Sequence, residues 1–144
     1  MMHNPTPAAR WLPVILWMGV IFLLSSQTNF PRLTPAIPDL QNVIGHLVEY
    51  AILGALLLRA LRHTPPVRRP YLWTVLIVML YAASDEGHQY FVPGRHCDPL
   101  DWLTDVTGAC LMLLLHHWWS HRQALQPASR RLPPPGQPPA PVES

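Results

Sequence analysis

Apolar side chains fall into four stretches, at residues 11–26, 43–61, 71–90 and 101–119, separated by polar or proline-rich segments. Each stretch is long enough to predict a helix. Crossing a hydrocarbon core of about 30 Å takes about 20 residues at helical rise. The second and fourth stretches nearly reach that length. In the third, the purely apolar part covers only residues 71–83, so the polar turns that follow must lie at membrane depth. The pattern predicts an all-α protein, a four-span transmembrane helical bundle.

The first stretch has an alternative interpretation as a cleaved signal peptide, because Arg10 precedes a short apolar core. The residues that follow, Ser25-Ser26-Gln27-Thr28, do not form a small-residue cleavage pattern, and three more apolar stretches come after them. We therefore expect an uncleaved span. The predicted organisation is an N-terminal cytoplasmic tail at 1–10, a transmembrane domain at 11–119, and a cytoplasmic tail at 120–144 that is proline-rich and disordered.

Composition supports the membrane prediction. Hydrophobic residues make up 49% of the chain and charged residues only 12%, against about 25% charged in an average soluble domain. The net charge of +2 comes from scattered arginines, which does not favour a nucleic-acid partner. The lipid bilayer is the expected partner. Cys97 and Cys110 lack the spacing of a zinc or redox pair, so we assign them no chemistry.

Arginine placement predicts the orientation, because positively charged loops stay in the cytoplasm. Only Arg32 and Arg95 fall on the side opposite to the other arginines, which places both termini in the cytoplasm. The arginines on the cytoplasmic side are Arg10, Arg59, Arg62, Arg68, Arg69, Arg122, Arg130 and Arg131.

With this orientation, nearly all ionisable residues within the spans lie in the outer half of the membrane. Their spacing of three or four residues puts each set on one helix face. A charge at membrane depth costs at least about 2.5 kcal/mol unless it is paired or hydrated, so these faces should point inward. A structural network of ion pairs and caps is the alternative to a functional pocket. The residues are Ser25, Ser26 and Gln27; His46 and Glu49; Asp85, Glu86, His88 and Gln89; and Asp101 and Asp105.

The loop at residues 92–99 should cover this pocket. Pro93 and Gly94 predict a turn, and Arg95 would lie over the carboxylates, where its planar guanidinium can hold a carboxylate or a phosphate. Asp98 has two interpretations that stay open, the N-cap of the fourth helix or a ligand-binding group. At the opposite end of that helix, His116 and His117 face different directions and are interpreted as an interfacial anchor.

At these residues the chain resembles the VanZ-like family of small bacterial membrane proteins. The matching features are Ser25-Ser26-Gln27, residues 42–54 with His46 and Tyr50, Asp85-Glu86-x-x-Gln89, Pro93-Gly94-Arg95 and Asp101-x-x-x-Asp105-x-x-Gly108. The resemblance implies a multi-span protein of the bacterial inner membrane and the cell envelope. The founding member is associated with antibiotic resistance, to the glycopeptide teicoplanin. Asp105 is a departure, because relatives often carry Asn there.

The pocket supports two main hypotheses, catalysis and recognition. In the first, His46, Glu49, Asp85 and Glu86 transfer protons on a lipid headgroup or lipid-linked cell-wall precursor. Recognition of the same ligand without turnover is the second hypothesis; proton-coupled transport of a small solute and a purely structural role are the further alternatives. A Gly-x-Ser-x-Gly elbow is absent from the sequence. Predicted substrate-binding groups are Ser26, His88, Gln89 and Arg95, and predicted ligands for Mg²⁺ are Asp101 and Asp105.

Overall fold

The computed structural model describes residues 6–27, 38–95 and 97–125. Within these ranges the chain forms four α-helices and no strand, so the all-α prediction is confirmed. The proline-rich segment predicted to be disordered lies mostly outside the described residues, as do Arg32, Arg130 and Arg131. The helices are α1 (Pro7–Ser25), α2 (Pro38–Arg62), α3 (Pro70–Gln89) and α4 (Pro99–Ala124).

Every helix begins at a proline, and every helix starts earlier than the apolar pattern predicts. Proline suits the first helical position, because its φ angle is already helical and the missing N–H has no partner there in any case. Two starts are also capped: the Thr6 hydroxyl accepts from the Ala9 N–H at 3.3 Å, and the Asp98 carboxylate accepts from the Leu100 N–H at 2.8 Å. Of the two interpretations of Asp98, the structure shows the N-cap.

Helix α2 is the centre of the bundle. It packs against the other three helices, most extensively against α4, whereas α1 packs on α2 and α3. The core is apolar and draws on all four helices. Its buried members are Val14, Ile21, Tyr50, Leu53, Leu57, Ala60, Val78, Ala82 and Ala109.

Small residues bring α2 and α4 close together. A Cβ atom added at Gly108 would lie 2.4 Å from the backbone oxygen of Leu47. The backbones of the two helices are therefore in direct contact at this glycine. Two turns after Leu47 on α2, a Cβ at Gly54 would lie 3.2 Å from the Cβ of Ala109. This close approach determines how near the side chains that flank Gly108 and Leu47 come to one another.

Among the described residues, only α1 and α2 are apolar and long enough by composition to count as candidate membrane spans, at Pro7–Ser25 and Leu40–Arg62. The prediction of four helices is therefore confirmed, whereas only two of them are candidate spans and the four-span bundle stays a prediction. Helices α3 and α4 are not candidate spans by this criterion, although the carboxylates that they carry are largely enclosed by the bundle. Asp85, Glu86 and Asp105 are buried inside the bundle.

One end of the bundle gathers arginines. Arg10 donates to the backbone oxygen of His63, and Arg59 donates to that of Ala9 at 3.5 Å. His116 joins this end through both ring nitrogens, at 3.1 Å from Arg62 Nη1 and 3.0 Å from the Tyr71 hydroxyl. We call Arg62, Tyr71 and His116 the basic-end network. His117 is exposed, as expected for its neighbouring helix position.

Candidate functional site

The opposite end of the bundle collects polar side chains from all four helices. Neighbouring helices run antiparallel, so the end of α1, the first half of α2, the end of α3 and the first half of α4 meet there. We call this group the polar layer. Its members are Ser25, Ser26, Asn42, His46, Glu49, Tyr50, Asp85, Glu86, His88, Gln89, Arg95, Asp101 and Asp105.

His46 lies between two carboxylates of α4. Its Nδ1 is 2.8 Å from Asp105 Oδ1, and its Nε2 is 3.7 Å from Asp101 Oδ2. Asp101 and Asp105 are one helical turn apart, so both face the same ring. The Asn42 amide, one turn before His46, donates to Asp101 at 3.4 Å. His46 and Asp105 are both buried, and the close approach at Gly108 brings their helices within reach.

Asp85 and Glu86 connect α3 to its neighbours. The Ser25 hydroxyl donates to Asp85 Oδ1 at 2.7 Å. The Gln89 amide donates to Asp85 Oδ2 at 3.3 Å and to Glu86 Oε1 at 3.4 Å. Glu86 Oε2 accepts from the Asp98 N–H at 2.9 Å, which fixes the start of α4. Both carboxylates therefore have structural partners on each oxygen.

Arg95 follows the turn that the sequence predicts. Gly94 has a φ of 84°, a conformation that favours glycine, and the Arg95 N–H donates to the Val92 oxygen at 3.1 Å. Glu49 interacts electrostatically with Arg95, His46 and Asp85, so these groups lie at the same end of the bundle. The role of Arg95 over the carboxylates stays a prediction.

Ser26 and His88 pair away from this centre. The Ser26 hydroxyl donates its only proton to the Phe22 oxygen at 2.6 Å, so His88 Nε2, at 3.0 Å, must donate to Ser26. The Phe22 ring stacks on His88 with centroids 4.3 Å apart. A histidine that donates to a serine does not activate it as a nucleophile.

Several buried polar atoms of the layer have no hydrogen-bond partner among the described residues. They are Tyr50 Oη, Gln89 Oε1, Arg95 Nε and Asp105 Oδ2. Each such atom costs about 1–3 kcal/mol, and native structures contain few of them. Tyr50 interacts electrostatically with Asp105, Asp85 and Glu49, so its hydroxyl belongs to the same centre. All four atoms belong to the polar layer, which therefore retains unused hydrogen-bonding capacity.

Residues 10–120, which include nearly all of the four helices, match the family model described as VanZ/LLP1. The chain belongs to the VanZ/LLP1 family. The resemblance stated from the motifs is therefore confirmed. Family membership together with the apolar α1 and α2 supports a membrane protein. Searches of curated proteins and of solved structures found no significant match.

The predicted metal ligands of this VanZ/LLP1 protein face a histidine. Asp101 and Asp105 have the His46 ring between them, and one oxygen of Asp105 is taken by that ring. Across residues 6–27, 38–95 and 97–125, no three histidine, cysteine or acidic side chains are grouped so that they could hold a metal ion. The role of Mg²⁺ stays a prediction.

Three members of the polar layer were not assigned a role from the VanZ/LLP1 sequence. Ser25 is buried and bonds to Asp85, whereas the predicted substrate group was Ser26. Ser25 lies on the same helix face as the buried Val14 and Ile21, seven and four residues apart along α1. This spacing could have identified Ser25 as the inward-facing serine. Asn42 and Tyr50 are one turn before and after His46, so the same periodicity applies to them.

Proposed function

We propose that the chain crosses the bacterial inner membrane four times, with both ends in the cytoplasm and the polar layer facing outward. Helix α3 has 20 residues, about 30 Å at helical rise, and α4 is longer. Both expose large apolar side chains away from the core, which suits contact with lipid. The basic-end network and its neighbouring arginines suit the cytoplasmic side. The exposed leucines are Leu72, Leu76, Leu80, Leu100, Leu103, Leu111, Leu114 and Leu115.

We further propose that the polar layer recognises a phosphate-bearing headgroup, that of a cell-envelope lipid or a lipid-linked cell-wall precursor. Arg95 carries this proposal. Its Nε is buried without a partner, and no carboxylate of the described residues comes within 4 Å of its guanidinium. A guanidinium fork binds phosphate through two parallel N–H bonds. Arg95 is positioned at the loop end of the layer, where a headgroup at the membrane surface would meet it.

The same site has two groups suited to proton transfer. The contact of His46 Nδ1 with Asp105 Oδ1, at 2.8 Å, orients the imidazole, as an acidic residue does for a catalytic histidine. Glu49 is the other group, because no hydrogen bond occupies its carboxylate within the described structure. Asp85 and Glu86 are less suited, since both hold neighbouring helices together. Modification of the headgroup by His46 and Glu49 is thus the catalytic form of the proposal.

Transport is less well supported, because the polar layer is closed from below. A band of buried apolar side chains separates it from the basic-end network. The band consists of Leu53, Leu57, Val78, Ala82 and Leu113. A polar site at one end of the bundle, separated from the other end by apolar side chains, suits recognition or modification of a ligand at the outer surface. Altered presentation of that ligand to a glycopeptide would be the link to resistance.

Native mass spectrometry of the purified chain with bound phospholipid tests the proposal. We expect Arg95→Gln to reduce lipid retention roughly tenfold, the effect of losing a charge-assisted contact. Arg122→Gln is the matched control, because Arg122 stacks on Trp118 outside the polar layer. Equal retention by both variants would show that Arg95 does not bind the ligand and would overturn the proposal.

Lipid and precursor profiles of cells distinguish recognition from chemistry. We compare a deletion strain with strains that carry wild type, Glu49→Gln or His46→Gln. A headgroup change that only the wild type restores would establish modification. Identical profiles, together with binding that depends on Arg95, would establish recognition without turnover.

A further inference from the structure

The polar layer contains an excess of hydrogen-bond acceptors. Gln89 and Asp105 are fully buried, and each has one oxygen without a donor. The amide orientation of Gln89 is determined by its surroundings, because its Nε2 faces the carboxylates of Asp85 and Glu86. Turning the amide would place its oxygen against those carboxylates. The unmatched Oε1 is therefore a real acceptor that points elsewhere.

The hydroxyl of Tyr50 adds a third group to these two oxygens. Tyr50 is fully buried, its Oη has no partner, and it interacts electrostatically with Asp105. A phenol hydroxyl can donate one hydrogen bond and accept another. Three buried oxygens of the polar layer, on α2, α3 and α4, thus have no hydrogen-bond partner among the described residues.

A phosphate group cannot supply hydrogen-bond donors to these oxygens, because its own oxygens are acceptors. A primary ammonium has three N–H donors and no acceptor. It also adds positive charge to a site in which five carboxylates (Glu49, Asp85, Glu86, Asp101 and Asp105) outnumber the Arg95 guanidinium and the His46 imidazole together. Glu49 interacts with both Arg95 and Asp85, so the guanidinium and the carboxylates belong to one continuous site.

We propose that the ligand is zwitterionic: its primary ammonium binds Asp105, Gln89 and Tyr50, while its phosphate binds Arg95. The headgroup of this chemistry is phosphoethanolamine. This inference rests on the proposed function for its phosphate half, and adds the ammonium half from the unmatched oxygens. We assign the ligand to the membrane because the helices that carry the site expose apolar side chains around it.

The test compares headgroups on the same acyl chains. The full-length chain in detergent is titrated with phosphatidylethanolamine, phosphatidylcholine or phosphatidylglycerol, and bound lipid is counted by native mass spectrometry. We expect phosphatidylethanolamine to bind roughly tenfold better than either of the others, since only it supplies N–H donors to buried acceptors. Soluble phosphoethanolamine should compete weakly.

Two tyrosine variants form a matched pair. Tyr50→Phe removes a hydroxyl that has no partner, so the fold should keep its unfolding temperature while the preference for phosphatidylethanolamine falls severalfold. Tyr81→Phe removes a hydroxyl that donates to the Met18 oxygen at 2.6 Å. It should lower the unfolding temperature and leave the preference unchanged. The two rings are neighbours, with centroids 6.3 Å apart.

Each outcome has one meaning. Equal binding of phosphatidylethanolamine and phosphatidylglycerol, both dependent on Arg95, would overturn the ammonium inference and keep the proposed function. Equal binding of the ethanolamine and choline lipids would overturn the requirement for N–H donors. Complete competition by soluble phosphoethanolamine would overturn the assignment to lipid. Lack of Arg95-dependent binding by any lipid would overturn both proposals. The headgroup series uses only the wild type, so it decides the question even if a variant fails to fold.

Discussion

At the scale of residues, the polar layer contains groups with structural partners and groups with spare hydrogen-bonding capacity. Asp85 and Glu86 accept bonds on both oxygens. Asp105 and Tyr50 retain an atom without a partner. Sequence alone gives His46, Glu49, Asp85 and Glu86 as candidates for proton transfer, because all are ionisable and lie in the same half of the bundle. The partner of each oxygen is what separates them.

The contact between His46 and Asp105 should stabilise the bundle. Removing one partner of a buried ion pair leaves the other uncompensated, at a cost of about 3–5 kcal/mol. A double-mutant cycle with His46→Ala and Asp105→Ala, measured by unfolding in detergent micelles, should give a coupling energy of about 1–3 kcal/mol. The control cycle uses Asn42 and Asp101, which are more exposed and 3.4 Å apart, and should give less than about 1 kcal/mol. Similar coupling in both cycles would contradict this prediction.

The Cys97 thiol should react slowly with maleimide at neutral pH. Desolvation and the adjacent Glu86 carboxylate raise the pKa of the Cys97 thiol. Only the thiolate reacts with maleimide, so the labelling rate should rise with pH and reach its midpoint above the ordinary thiol pKa. Glu86→Gln removes the negative charge, lowers that pKa and should speed labelling at pH 7. The measurement uses a Cys110→Ala background so that one thiol is followed; an unchanged rate would exclude the effect of Glu86.

At the scale of elements, the apolar pattern predicts the number, type and order of the helices. It places their starts too late, because Pro7, Pro38, Pro70 and Pro99 interrupt an apolar pattern although they are compatible with a first helical turn. The pattern also does not show which helices pack most closely. The closest packing, between α2 and α4, depends on Gly108 and Gly54. A glycine in the sequence indicates a close helix contact only when the helix that faces it is known.

Gly108→Ala should destabilise the contact between α2 and α4. Its new Cβ would lie 2.4 Å from the Leu47 oxygen, which is backbone and cannot rotate away. We expect a loss of about 1–3 kcal/mol, typical of overpacking, measured by unfolding in detergent. Gly45→Ala on α2 is the control, because nothing lies within 4 Å of its added Cβ. That change should stabilise by up to about 1 kcal/mol through helix propensity. A neutral Gly108→Ala would show that the two helices do not approach so closely.

At the scale of the whole molecule, mean hydropathy along a helix and hydropathy of its outer face differ. Helices α3 and α4 are not candidate spans by composition, yet their acidic residues point into the bundle and their leucines point out. Lipid contacts only the outer face. A helix can therefore cross a membrane while its average composition is moderately polar, provided that the bundle encloses the polar groups.

The proposed topology predicts opposite accessibility for two loops. A membrane-impermeant maleimide should label Cys97 from the periplasmic side. A cysteine introduced as His63→Cys, in the α2–α3 connection, should be labelled only after the inner membrane is opened. Both measurements use spheroplasts of a Cys110→Ala strain. The topology is wrong if the two positions react from the same side.

The sequence by itself determined the helical class, the membrane character, the family and the presence of polar residues near one end of each helix. These follow from local composition and periodicity, which act over a few turns. Only the tertiary structure decided that Ser25 and not Ser26 bonds to Asp85, that His46 lies between Asp101 and Asp105, and that particular oxygens have no donor. Those facts depend on the rotation and spacing of neighbouring helices. Close packing at glycine sets them, and the pattern along a single helix does not contain that information.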